Sequence, residues 1–243
     1  VKPIFGIISL TIPKRFSKLN IESLANGFQK ATKEFQLKIL GGDTNEGKEL
    51  VINFSLFGVS EKIVARKGAK TNHVIITSGP FGYSGAGLMI LLKNKNCSKK
   101  FKAKAQRAVF RPNCRLMFGL KNKNYFSSSM DSSDGLSSTL NEMSNQSKKK
   151  FVITRIPSEN DVFNFSNSNK LNPNDLIFNA GEEYEIVSTV SMSNLPRIKK
   201  YAKKHQIKLY EIGYVAEGRG VFYNKNGKLV RIKDDGWQHL QKS

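Results

Sequence analysis

Three clusters in this chain join glycine to carboxylates, and each abuts an apolar run that reads as a strand. They are Gly41-Gly42-Asp43-Thr44-Asn45 after Leu37–Leu40, Asp131-Ser132-Ser133-Asp134-Gly135-Leu136 after Phe126–Met130, and Gly181-Glu182-Glu183-Tyr184-Glu185 leading into Tyr184–Val190. Glycine lets a backbone turn sharply or approach a ligand closely. Carboxylates at such points suit magnesium, a hard cation that shares its oxygen ligands with phosphates. Solubility does not account for the acids, because 40 Lys and Arg against 19 Asp and Glu leave a net charge of +21. The first reading is a magnesium-nucleotide site assembled from distant segments.

The rest of the pattern places these clusters in an α/β or α+β frame. Phe5–Thr11 reads as a strand closed by Pro13. Ser17 or Asn20 starts a helix to about Phe35, with Ile21, Leu24, Phe28 and Ala31 on one face. Leu50–Val59 is another strand. A second unit is expected from about Ile63, with a strand over His73–Thr77, the glycine-rich stretch Gly79–Gly87 and a helix to about Leu92. A strand running into glycines and a helix start offers N–H groups to an anion, but packing glycines explain the stretch equally well. A helix is expected over Gly135–Ser147, a strand over Phe151–Arg155 and an Asn- and Ser-rich loop over Asn160–Asn174. Leu195–His205 reads as a basic helix, Leu209–Val215 and Gly220–Tyr223 as strands, and Asn226-Gly227 as a hairpin turn.

Composition narrows the function classes. A chain of 243 residues buries one large or two modest cores. No apolar stretch approaches the roughly 18 residues of a membrane span, so no membrane partner is expected. Cys97 and Cys114 form neither a metal spacing nor a disulfide framework, which reads as a reduced, cytoplasmic chain. The basic excess favours polyanions, nucleotides or nucleic acid among them, and is equally compatible with a biased proteome. Its densest run, Lys93–Arg107, reads first as a solvated face and second as a nucleic-acid footprint.

Asp131 and Asp134, three residues apart between a strand and an amphipathic helix, can converge on one metal. Asp and Ser also cap helices well, so pattern alone leaves both readings open. An Asp after Gly41-Gly42 has the same ambiguity, since shaping a turn is a sufficient role for it. The two clusters together, with the acids after Gly181, favour function.

In consistent order along its whole length the chain resembles the thiamine-monophosphate kinases, members of the PurM-like superfamily of aminoimidazole ribonucleotide synthetase. The matching blocks are Gly41–Thr44, Arg66–Lys70, Ile75–Leu88, Asp131–Leu136, Gly181–Glu185, and Ile212-Gly213 with Gly236-Trp237-Gln238-His239. The resemblance implies a two-domain PurM-like fold with mixed sheets covered by helices. Residues 1–62 would be the remainder of an incomplete nucleotide-binding N-domain, and residues 63–243 the C-domain. It implies transfer of a phosphoryl group from ATP to thiamine monophosphate with Mg2+, directly and without a covalent enzyme intermediate.

By position, Gly42, Asp43, Arg66 and Ser133 would contact the nucleotide. Asp43, Asp131 and Asp134 would hold metal, and Glu182 and Trp237 would contact substrate. Trp237 offers an aromatic face to a cationic thiazolium, though ordinary packing also accounts for a tryptophan there. His239 reads as structural. The family dimerises through an N-terminal part that holds further metal-binding aspartates, so a homodimer is expected where that part is present. Ala180 and Glu183 depart from the family's Gly and Asp.

Overall fold

The computed structural model describes residues 1–237; Gln238 and His239 of the last block lie outside the described residues. The chain divides into two compact units, Val1–Ile63 and Val64–Ser243.

The first unit holds β1 (Lys2–Pro13), α1 (Lys18–Phe35), β2 (Lys38–Gly47) and β3 (Val51–Val59). β1 is central, parallel to β2 and antiparallel to β3. Ser17 caps α1 by accepting a hydrogen bond from Asn20 N–H at 3.2 Å. Gln36, in the left-handed conformation, ends it and donates its N–H to Thr32. β2 is longer than the short strand expected and runs through Gly41-Gly42-Asp43-Thr44-Asn45, which is therefore strand and not a turn. The glycine serves close approach: a Cβ on Gly42 would stand 1.8 Å from the Ile8 carbonyl oxygen of β1. β3 is exposed along its length, Ile52, Phe54, Leu56 and Phe57 included.

The second unit is a seven-stranded mixed sheet in the order β10-β9-β6-β8-β4-β7-β5. Its strands are β4 (Val74–Thr77), β5 (Phe126–Asp131), β6 (Lys150–Ile153), β7 (Ile186–Val190), β8 (Tyr210–Ala216), β9 (Gly220–Lys225) and β10 (Lys228–Arg231). Its helices are α2 (Tyr83–Lys93), α3 (Lys99–Phe110), α4 (Leu116–Asn122), α5 (Leu136–Ser147), α6 (Asn160–Ser168) and α7 (Leu195–Lys204), with one π-type turn at Asp175–Asn179. Successive side chains on a strand point to opposite faces, and Ile75 and Ile76 of β4 enter different cores. Ile75 packs with Ala86, Ala105, Leu140 and Phe165 from α2, α3, α5 and α6. Ile76 packs with Phe118 of α4 and Ile198 of α7. Helices thus cover both faces. No helix among the described residues is long and apolar enough to cross a membrane.

Two readings are corrected here. Asn160–Asn174 is not all loop, because α6 occupies its first part and buries Val162 and Phe165. Those two apolar residues, three apart, stand among Asn and Ser that mask the period. α4 was not anticipated; its Phe118 fills the second core against Phe126.

Candidate active site

Antiparallel pairing of β5 with β7 sets Asp131 opposite Ile186, and so brings two acidic clusters, about fifty residues apart in the chain, to one sheet end. The ladder continues past both strands. Ser132 N–H donates to the Glu185 carbonyl at 3.0 Å, Tyr184 N–H to Ser132 at 2.9 Å and Glu182 N–H to Ser133 at 2.7 Å. Glycine makes this approach possible, since a Cβ on Gly181 would lie 2.4 Å from the Ser133 carbonyl oxygen. The C-terminal segment joins behind them: Trp237 N–H donates to the Asp134 carbonyl at 2.9 Å. Asp131, Ser133, Asp134, Glu182 and Trp237, distant in sequence, therefore share one backbone network.

Asp131 is exposed and Asp134 half-buried. Gly135, at φ +110°, leads from this loop into α5, and no side chain caps that helix's N-terminus. Neither aspartate is used as its cap, which weakens the capping reading of this cluster. Ser132 Oγ is a buried side-chain oxygen without a protein partner among the described residues. The hydroxyl of Tyr184 donates to Glu182 at 2.6 Å. That bond, burial, and the negative field of Glu182, Asp131 and Asp134 push the phenol up to about 12. Tyr184 thus sits in the field of both aspartates.

The other face of Gly181–Glu185 is structural. Glu183 is buried, and its Oε1 accepts from the main-chain N–H of Gly82 at 2.6 Å and of Ser84 at 3.0 Å. Two of the N–H groups that the glycine-rich stretch offers to an anion are taken by this carboxylate. Gly82, at φ +105°, opens α2 in a conformation that L side chains rarely adopt. Ser84 Oγ donates to the Gly181 carbonyl at 2.7 Å. Glu185 accepts two hydrogen bonds from Arg115 and one from Ser78. Sequence reasoning missed Tyr184, Ser78 and Arg115 and the anchoring roles of Glu183 and Glu185. The available signal was the pair of acids two apart beside glycine in a basic chain.

The remaining expected residues are on other segments. Arg66 is exposed and faces Glu142 of α5 at 3.5 Å, too long for a strong hydrogen bond. Gly42 and Asp43 are on β2 of the first unit, where Asp43 is exposed and accepts from Asn45 Nδ2 at 2.7 Å. Among the described residues no three or more His, Cys, Asp and Glu form a group able to hold a metal. The Asp131–Asp134 pair is nonetheless a fitting magnesium donor set. It is all carboxylate, and it is open enough to leave coordination positions for phosphate and water, as that cation prefers.

The family model for the AIR synthase related protein, C-terminal domain, matches residues 70–224, and that for the N-terminal domain matches residues 1–60. A thiamine-monophosphate kinase of Nitrosopumilus maritimus (strain SCM1) is 51% identical over 241 residues, spanning 99% of this chain and 77% of that protein. The thiamine-monophosphate kinase of Pyrococcus horikoshii is 30% identical over 241 residues, 98% of this chain and 73% of its own. The structure of AaThiL complexed with AMPPCP and TMP superposes with a TM-score of 0.81 at 29% identity, covering 98% of this chain and 74% of that one.

Proposed function

Since this chain belongs to the thiamine-monophosphate kinase family, within the AIR synthase related proteins, we propose that it phosphorylates thiamine monophosphate to thiamine diphosphate using ATP. One observation carries the site assignment: the Asp131–Asp134 loop and the Gly181–Glu185 loop interleave by main-chain hydrogen bonds, with Trp237 tied to Asp134.

We assign Asp131 and Asp134 to magnesium, and give Asp43 of the first unit a metal-binding role of its own. When bound, that ion neutralises charge on the phosphate oxygens. Ser133 and Gly42 contact the nucleotide in this reading, and Arg66 swings from its weak, exposed pairing with Glu142 to a phosphate. A guanidinium suits that role because its planar fork matches phosphate oxygens. Glu182, oriented by Tyr184, and Trp237 hold the substrate. Phosphoryl transfer needs chiefly positioning and charge stabilisation, so no nucleophilic side chain is assigned. Residues 1–62 and 63–243 are proposed as the N-terminal and C-terminal parts of the PurM-like frame.

The protein is placed in the cytoplasm, where ATP is supplied and where the free thiols of Cys97 and Cys114 stay reduced. A homodimer is proposed where the family's N-terminal part is present, with β3 of the first unit as a further interaction face. The apolar residues exposed on β3 support that choice, because contiguous exposed apolar surface marks interaction faces.

The deciding experiment is ATP-dependent formation of thiamine diphosphate from thiamine monophosphate, with and without magnesium. Product that depends on magnesium is the expected result. ATP turnover driven by a different acceptor, with none on thiamine monophosphate, overturns the substrate assignment.

A further inference from the structure

A cavity of about 350 Å3 opens in the second unit between the start of α2, the later turns of α3 and the loop to α4. Four cations line it: Lys104, Arg107, Arg111 and Arg115. Its acidic lining is Glu183 and Glu185, both buried. None of these residues belongs to the nucleotide, metal or substrate set proposed above.

The charges do not cancel. Glu185 is matched by Arg115, and Glu183 Oε1 already receives two main-chain N–H groups. Lys104 is shared between the Tyr83 hydroxyl and Asp161. The Arg107 side chain makes no hydrogen bond or ion pair with the described residues; its carbonyl accepts the N–H of Arg111, the residue just past α3, at 2.8 Å. Guanidinium groups recognise phosphate through paired, charge-assisted hydrogen bonds. The volume falls at the small end of the range for small-molecule pockets, roughly 300–1,000 Å3.

We infer that this cavity is a second anion site, built for a small molecule bearing a phosphate group, with Arg107 as its principal ligand and Arg111 and Lys104 beside it. It is separate from the acidic cluster, yet both use the same five residues. Glu183 and Glu185 line the cavity, whereas Glu182 and Tyr184 meet each other in the field of Asp131 and Asp134.

The test is calorimetric titration of the whole chain with inorganic phosphate and, separately, with glycerol 3-phosphate. Ionic strength is held constant, a chelator is present, and neither ATP nor thiamine monophosphate is added. Saturable one-to-one binding is expected in the wild type and in Asp131→Asn. Arg107→Ala should weaken it about tenfold or more, the loss expected for one charged hydrogen-bond partner. Arg107→Lys should restore part of it, and Lys200→Ala, an exposed cation on α7, should change nothing. The tighter of the two ligands identifies the source of the phosphate. No saturable binding, equal binding by Arg107→Ala, equal weakening by Lys200→Ala, or loss in Asp131→Asn overturns the inference. Because no kinase substrate is present, failure here is distinguishable from failure of the proposed activity.

Discussion

Arg115 grips Glu185 through two parallel hydrogen bonds, Nε to Oε2 and Nη2 to Oε1, each 2.7 Å. Ser78 Oγ donates a third at 2.5 Å, and the same hydroxyl accepts Ile186 N–H at 2.8 Å. The Glu185 carbonyl in turn receives Ser132 N–H beside Asp131. The ion pair thus fixes the segment on which the aspartate loop hangs.

Breaking that pair from one side leaves a buried charge alone. The two side chains are only 19% and 6% exposed, so screening by water is small. Removing one partner of a buried pair costs about 3–5 kcal/mol. Arg115→Met is expected to lower unfolding free energy by about that amount, read from chemical denaturation. The double variant Arg115→Met with Glu185→Gln should lose less than the sum of the two singles. Strict additivity would mean that the pair does not hold the loop.

Glu183 gives stability a pH dependence. Burial pushes its carboxyl from an ordinary 4.5 up to about 7, partly opposed by the main-chain N–H groups of Ser84 and Gly82. A folded-state value above the unfolded one means that the fold binds the proton more tightly. The associated stability is complete below pH 4.5 and is lost as pH rises through about 7. Full ionisation costs on the order of 3 kcal/mol. Denaturation midpoints followed across that window should fall in the wild type, and Glu183→Gln should flatten the profile. An unchanged slope in the variant assigns the titration to another group.

The sequence carried the strands and the acids but not the contacts between them. Asp131 and Asp134 drew notice because carboxylates beside glycine stand out in a basic chain. Ser17 was legible as the cap of α1 because capping is a local matter. Arg115 was invisible, since its partner lies seventy residues away and only the sheet order brings them together. For Gly42 the sequence left a turn open as one reading, and the structure places it in a strand. A glycine demanded by a neighbouring strand looks the same in one dimension as a glycine demanded by a bend. α6 was hidden because Val162 and Phe165 supply its apolar face among polar neighbours that favour loops.

Asp131→Asn separates chemistry from folding. The side chain is exposed and takes no part in the main-chain ladder that joins the two loops. Thermal melting should therefore be close to wild type. Loss of a carboxylate that meets developing phosphate charge should reduce turnover of ATP and thiamine monophosphate about a hundredfold or more. Unchanged turnover at saturating magnesium removes Asp131 from the metal set.

Trp237 allows a finer test, because its backbone and its ring act separately. The N–H is fixed to Asp134 at 2.9 Å whatever side chain follows, while the residue as a whole is 64% exposed. Replacing the ring should therefore leave the main-chain bond in place and weaken contact with substrate. An aromatic face over a cation is worth roughly 0.5–2 kcal/mol, or about two- to thirtyfold in binding. Trp237→Ala is expected to raise KM for thiamine monophosphate by that factor with kcat and the KM for ATP little changed, and Trp237→Phe should recover much of the loss. A fall in kcat with KM unaltered would assign the tryptophan to positioning Asp134 and not to the thiazolium.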